Sequence, residues 1–202
     1  MVAIVDYGVG NLFSLRSSFS AIGEEVIVTA DRVALKNADK ILLPGVGAFE
    51  DAATKLRETG LDILLKECAA TGKPILGICL GMQLLFEKSY EYGCHAGLGL
   101  IPGAVVPMAG KLPPELKIPH IGWNALHIKN DSPLFENVKE GDFVYFVHSY
   151  FADQCDDYVI ATAEYGLEIT AAVAKDNVMG CQFHPEKSGA VGLSILKAFA
   201  KI

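Results

Sequence analysis

Residues 75–86 read Ile75-Leu76-Gly77-Ile78-Cys79-Leu80-Gly81-Met82-Gln83-Leu84-Leu85-Phe86. An apolar run ends in Gly-Ile-Cys-Leu-Gly, and a second apolar run follows at once. The pattern predicts a buried strand that turns sharply into a helix over Leu80 to Lys88, with Cys79 at the corner. Side chains two residues before and after such a corner would collide, so glycine fits both places. This is the nucleophile-elbow arrangement with cysteine in place of serine. The corner sets the sulfur at the sheet edge and at the N-terminus of the next helix. The helix dipole and free backbone N–H groups there favour a thiolate, and the Leu80 N–H faces any oxyanion that develops. The ordinary reading of an intracellular cysteine is a buried, inert thiol. We apply it to Cys68, Cys94 and Cys155, and the paired glycines set Cys79 apart.

Upstream of the elbow, Val2 to Val5, Val26 to Val28 and Ile41 to Leu43 are short, wholly apolar runs. Leu12, Leu15, Phe19 and Ile22 recur at helical spacing between the first two. Phe49, Ala52, Ala53 and Leu56 mark a helix face after the Pro44-Gly45-Val46-Gly47 turn, and Leu61, Leu64, Leu65 and Cys68 mark another after Gly60. Strand–helix alternation with apolar strands predicts an α/β fold: a mostly parallel sheet covered by helices on both faces. Ligands of such sheets sit beyond the carboxyl ends of the strands, where Pro44–Gly47 and Cys79 both fall. From about Leu98 the texture changes. Val105-Val106, Ile121 to Ile128, Phe143 to Phe151, Tyr158 to Ala163, Ile169 to Ala174 and Val178 to Phe183 read as strands with short polar turns. This half is predicted to be antiparallel or mixed. A final helix, Ser188 to Ile202, carries Val191, Ile195, Phe199 and Ile202 inward, with Ser188 as a candidate cap.

Bulk properties narrow the function. At 202 residues, 51% hydrophobic and 20% charged, with no linker or repeat, the chain has the composition of one globular domain spanning residues 1–202. A net charge of -7 without a Lys/Arg cluster argues against nucleic acid. The apolar runs fall short of a membrane span. The N-terminus lacks a basic n-region and reads as a core strand rather than a signal peptide. Five cysteines, an odd number with no Cys-x-x-Cys spacing, fit a reducing cytoplasm better than a disulfide framework or a zinc site. No His/Cys/Asp/Glu set has metal spacing, and the Pro44–Gly47 turn lacks the length and lysine of a phosphate loop. Neither a metal nor another cofactor is expected.

A thiol near pKa 8.5 needs a base. His184, in Gly180-Cys181-Gln182-Phe183-His184-Pro185-Glu186-Lys187, ends an apolar run, and Pro185 closes the strand. Glu186 is near enough in sequence to turn back and orient the imidazole, which gives a Cys–His–Glu triad. On spacing alone, a solvated histidine and a surface carboxylate remain an equal alternative. His120 and His148 lie in aromatic-rich strands and read as structural. His95 and His127 carry no signal. The Pro44–Gly47 turn reads either as a tight strand-to-helix connection or as a donor to an oxyanion.

Taken together, Gly77 to Glu87 and Phe183 to Gly189 resemble the class I (triad) glutamine amidotransferases. Within that family, Ile4 to Leu15, Leu42 to Ala52, Ile118 to Asn124 and Tyr145 to Phe151 are similar to the glutaminase subunits of imidazole glycerol phosphate synthase. The resemblance covers essentially the whole chain. Val46, Met82 and Lys187 depart from the pattern of subunits serving anthranilate and aminodeoxychorismate synthesis. The resemblance implies a flavodoxin-like α/β fold and hydrolysis of L-glutamine. In that reaction Cys79 is the nucleophile, His184 the base and Glu186 its orienting carboxylate. It implies an oxyanion hole from Leu80, Val46 and Gly47, and a glutamine site around Gly47, Gln83, Glu91, Ser149 and Tyr150. For Glu91 a solvated helix-end charge is the alternative. It also implies a heterodimer with a (β/α)8-barrel cyclase subunit in histidine biosynthesis, docked near Asn11, Trp123, Tyr145, His148 and Lys187. Cys181 stands where the family more often has Phe, and reads as core packing. Two alternatives stay open: a sibling amidotransferase subunit of the anthranilate or aminodeoxychorismate type, and a catalytically silent subunit that only binds.

Overall fold

The computed structural model describes all of residues 1–202. The first half alternates as predicted: β1 (Val2–Val5), α1 (Leu12–Ala21), β2 (Val26–Thr29), α2 (Arg32–Asn37), β3 (Lys40–Leu43), α3 (Phe49–Thr59), α4 (Leu61–Ala70) and β4 (Ile75–Ile78). Alternate strand residues feed opposite cores. Ala3, Val5, Ile41 and Leu43 pack toward α2, α3 and α4, whereas Val2, Ile4 and Leu42 pack with Leu15 and Phe19 of α1. Helix α2 is an addition to the sequence reading. It is six residues long and buries only Leu35, too little to leave a periodic signature.

After the elbow, helix α5 spans only Leu80–Leu84, and the predicted helix to Lys88 is corrected. The carbonyls of Leu84, Leu85 and Phe86 accept N–H groups from Leu98, Leu100, Ile101 and Gly99 instead of from the next helical turn. The chain therefore enters β5 (Phe86–Ser89), which joins β6 (His95–Ala96), β7 (Ile101–Pro107) and later β11 (Tyr150–Asp153) in a four-stranded sheet of order β11-β7-β5-β6.

The remaining strands are β8 (His120–Ala125), β9 (His127–Ile128), β10 (Phe143–His148), β12 (Val159–Glu164), β13 (Glu168–Lys175) and β14 (Val178–Cys181). The strands beyond Leu98 pair in antiparallel or mixed fashion as predicted, and they divide between the central sheet and two smaller ones. The central sheet runs β2-β1-β3-β4-β14-β13-β12-β9, parallel as far as β14 and antiparallel beyond it. Strand β14 thus lies beside β4 and brings the segment after Cys181 next to the elbow. Helix α6 (Gly189–Lys201) packs Ile195 and Phe199 on the α1 side, but Ile202 is exposed. Ser188 stands at the N-cap position of α6, but its side chain makes no capping bond. Its hydroxyl donates to the His184 carbonyl at 2.6 Å and accepts the Tyr145 N–H at 3.0 Å. No helix is long and apolar enough to cross a membrane.

Strands β8 and β10 form a separate two-stranded ribbon, with Trp123 opposite Tyr145 and His120 opposite His148. Its side chains alternate. Val144, Phe146 and His148 are buried, while Ile121, Trp123 and Phe143 are exposed.

Candidate active site

Cys79 sits at φ 54° and ψ -112°, a conformation that L-residues avoid. Strain of this kind costs about 1–3 kcal/mol and persists only where the surroundings impose it. Here they do. A Cβ on Gly77 would lie 2.6 Å from the Gly81 carbonyl oxygen, and one on Gly81 would lie 1.9 Å from the Leu43 carbonyl oxygen. The first glycine lets the helix fold back on its strand. The second lets the helix press against the neighbouring strand. The Cys79 N–H is held by the Cys181 carbonyl at 2.7 Å.

The elbow opens into a cleft of about 600 Å³, within the range of small-molecule sites. The structure brings Val46, Gly47, Cys79, Leu80, Gln83, Glu91, His148, Ser149, Tyr150, His184 and Lys187 to its walls. His184 Nδ1 lies 2.8 Å from Glu186 Oε1, and both side chains are almost fully enclosed. The solvated-turn reading of this pair is thereby removed. Burial alone would lower the His184 imidazole. Its interactions with the Cys79 sulfur and the Glu186 carboxylate outweigh that and carry it up to about 9. The arrangement keeps His184 protonated at neutral pH, between the Cys79 sulfur and the Glu186 carboxyl group. The His184 N–H is itself held by the Tyr145 carbonyl at 2.9 Å, so β10 is stitched to this segment.

Across the cleft, Gly47 has φ 90°, which favours glycine, and Val46 is exposed beside it. The start of this turn is anchored by Tyr7, whose buried hydroxyl donates to the Pro44 carbonyl at 2.7 Å. Burial, with Cys79 nearby, pushes the Tyr7 phenol well up. Glu91 follows β5, not a helix. Its Oε2 accepts the Phe49 N–H at 2.5 Å and so caps the start of α3 from outside. The alternative of a solvated charge at the end of the elbow helix does not hold, since Glu91 is half-buried and engaged at the cleft. Gln83 spends its amide nitrogen within the chain, on the Tyr150 carbonyl at 3.1 Å and on Gln182 Oε1 at 3.0 Å.

The residues expected near a docking face divide. Trp123 and Tyr145 lie on the outer side of the ribbon with ring centroids 6.1 Å apart, and Lys187 Nζ stands 5.8 Å over the Tyr145 ring. Asn11 caps α1, its Oδ1 accepting the Ser14 N–H at 3.4 Å. His148 is corrected: it is buried on the inner side of the ribbon and donates to the Tyr150 carbonyl at 2.8 Å. Cys94 is also corrected from buried to exposed, whereas Cys68, Cys155 and Cys181 are buried, and burial raises all three thiols. His120 is the buried structural histidine that the sequence suggests, whereas Tyr7 and Gln182 escaped the sequence reading. The one available signal was Gln182, a polar side chain inside an apolar run.

A model of the glutamine amidotransferase class-I family matches residues 3–201. The chain belongs to the class I glutamine amidotransferases. Among relatives in the family, it is 53% identical to imidazole glycerol phosphate synthase subunit HisH of Sulfurimonas denitrificans, over 100% of this chain and 98% of that one. It is 50% identical to the subunit of the same name from Caldanaerobacter subterraneus subsp. tengcongensis, with the same coverage. Solved amidotransferase-like structures share the fold at low identity. A glutamine amidotransferase superposes with TM-score 0.77 at 18% identity, covering 99% of this chain and all of that one. PurLQS from Thermotoga maritima gives 0.75 at 21%, covering 99% and 97%.

Proposed function

We propose that this chain, as one domain, is the cytoplasmic glutaminase subunit of an imidazole glycerol phosphate synthase. In this reading it hydrolyses L-glutamine through a thioester on Cys79 and passes the ammonia to a (β/α)8-barrel cyclase subunit in histidine biosynthesis. The observation that carries the chemistry is the strained Cys79 elbow opening on the same cleft as the buried His184–Glu186 pair. The pathway rests on half-identity along the full chain to subunits of that synthase.

The Cys79 thiolate attacks the side-chain amide carbon of glutamine, and negative charge moves to the amide oxygen. The Leu80 N–H and an N–H of the Val46–Gly47 turn receive it. One such donor contributes about 3–4 kcal/mol to the transition state. His184, as imidazolium, gives its proton to the departing ammonia and leaves the thioester. Neutral His184 then takes a proton from the water that attacks the thioester. Glutamate leaves, and the thiolate–imidazolium pair is restored. Glu186 holds the imidazole in the required tautomer. Gln83 offers its Oε1 to the substrate, and Glu91 suits the α-ammonium. Gly47, Ser149 and Tyr150 complete the wall. Each step is carried by side chains and backbone groups of this chain. Trp123, Tyr145 and Lys187 offer aromatic surface beside a cation, as a docking face does, and Asn11 is assigned to the same face by its match to the family.

Glutamate release tests both halves, measured for the chain alone and with a barrel cyclase subunit and its ribonucleotide ligand. Activity that rises strongly with the partner supports the assignment. Equal activity in both conditions keeps the Cys79 chemistry and removes the pathway. Cys79→Ala should abolish glutamine-dependent synthesis and spare synthesis from added ammonium.

A further inference from the structure

The Tyr150 carbonyl can only accept hydrogen bonds, and it lies at the junction of two buried polar arms. One arm starts with Gln83 Nε2 at 3.1 Å, which must be the –NH2 end of that amide. The same nitrogen lies 3.0 Å from the Gln182 amide, which must therefore present Oε1. That leaves Gln182 Nε2 aimed at Cys79 Sγ, 3.7 Å away. A reversed Gln182 would set nitrogen against nitrogen. The second arm starts with His148 Nδ1–H at 2.8 Å. His148 Nε2 is then an acceptor, His120 Nδ1 at 3.0 Å carries the hydrogen, and His120 Nε2 accepts from Asn124 Nδ2 at 3.4 Å. A single carbonyl thus sets every donor and acceptor from strand β8 to the nucleophile.

We propose that Gln182 is a positioning residue for the nucleophile, its Nε2–H donating to Cys79 Sγ and holding the sulfur as a cleft-facing thiolate. The side chain is wholly enclosed, and the sulfur is the one acceptor its nitrogen finds. An amide nitrogen buried without an acceptor is costly, so the contact is built in rather than incidental. A neutral donor also suits the task. It stabilises the anion without competing with the charged His184 for the sulfur. Its orientation is locked through Gln83 and the Tyr150 carbonyl, and His148 and His120 hold the same carbonyl from the ribbon side.

This inference rests on Cys79 being the nucleophile, and the test separates the two. Cys79 is alkylated with iodoacetamide across a pH series, and the labelled site is read by mass spectrometry. A Cys94→Ser background removes the exposed competing thiol. The titratable groups facing the sulfur, His184 and Tyr7, are left unchanged. Gln182→Met is expected to raise the apparent pKa of Cys79 alkylation by about one unit, so that the same thiolate fraction needs a tenfold lower proton concentration. It should lower kcat for glutamine by a similar factor and leave KM nearly unchanged. If Gln182→Met does not fold, Gln182→Asn, one methylene too short for both partners, is read instead with the same expectation. A profile and kcat identical to the parent overturn the inference while the nucleophile stands. In the unsubstituted chain, a Cys79 no more reactive than Cys94 at neutral pH overturns both.

Discussion

His184 and His148 line the same cleft and are both buried, 3% and 7% exposed, yet their protons follow opposite rules. His184 sits between the Cys79 sulfur and Glu186 and is carried up to about 9. His148 is pushed down to about 3 by burial, with His120 and His184 adding to it against the opposing Tyr150 carbonyl. Burial takes His120 itself down to about 4. Burial penalises the charged form at all three positions. What differs is the partner: a carboxylate and a sulfur at one, a carbonyl and a second imidazole at the other. An enclosed histidine is therefore an acid or a strut according to what its second nitrogen meets.

The largest expected break in this symmetry is catalytic. His184→Gln should lower glutamine turnover by about 10²–10⁴-fold, the scale of a lost general acid–base group. His148→Gln, which keeps a donor toward Tyr150, should cost much less; steady-state glutaminase assays of the two variants decide. Next comes pH. Removing the Glu186 charge by Glu186→Gln should let the His184 imidazole fall from about 9 back toward 6.5. The alkaline limb of kcat/KM should move to lower pH, and an unmoved limb would deny Glu186 its role. Stability should reflect the same opposition. The folded chain keeps a proton on His184 that the unfolded chain releases. That stabilisation is complete below about pH 6.5 and is lost as pH rises through about 9. His120 and His148 act in reverse. Below about pH 6.5 the unfolded chain takes up protons that the folded one refuses until about 4 and 3, so stability falls as pH falls through that window. Urea midpoints of the parent and His184→Gln across pH 4–9 separate the two contributions.

Smaller effects sharpen the structural side. His120→Phe keeps the ring that stacks between Phe146 and Tyr165 but leaves His148 Nε2 without a donor. It should cost about 1–3 kcal/mol in chemical denaturation. Tyr7→Phe removes only the hydroxyl that holds Pro44, and should cost about 1 kcal/mol.

The two histidine sites also differ in how far the sequence reveals them. His184 and Glu186 are two residues apart, Pro185 ends their strand, and Gly77 and Gly81 bracket the elbow. All of that is local, so the elbow is legible, while spacing alone leaves His184 and Glu186 evenly balanced between a triad and a solvated turn. The helices α3 and α4 are legible for the same reason: Phe49, Ala52, Ala53, Leu56, Leu61, Leu64, Leu65 and Cys68 keep the period, and all are buried. The limits are equally physical. Leu84-Leu85-Phe86 suits a helix or a strand, and only the backbone of residues 97–101 decides between them. The contact of His120 with His148 depends on the register of β8 against β10, and that of Gln182 with Cys79 on β14 lying beside β4. Glu91 caps a helix that starts 42 residues earlier. Strand pairing at such separations leaves no periodic trace, so the structural histidines are legible singly, but their contact and the amide behind the nucleophile emerge only from the fold.

The most direct measurement is an NMR titration of the histidine rings in the parent and in Cys79→Ala. The account predicts that His184 titrates near 9 in the parent and clearly lower without the sulfur, while His120 and His148 stay neutral down to about pH 4. A His184 that titrates near 6.5 in both proteins would contradict the thiolate–imidazolium pair on which the proposed chemistry stands.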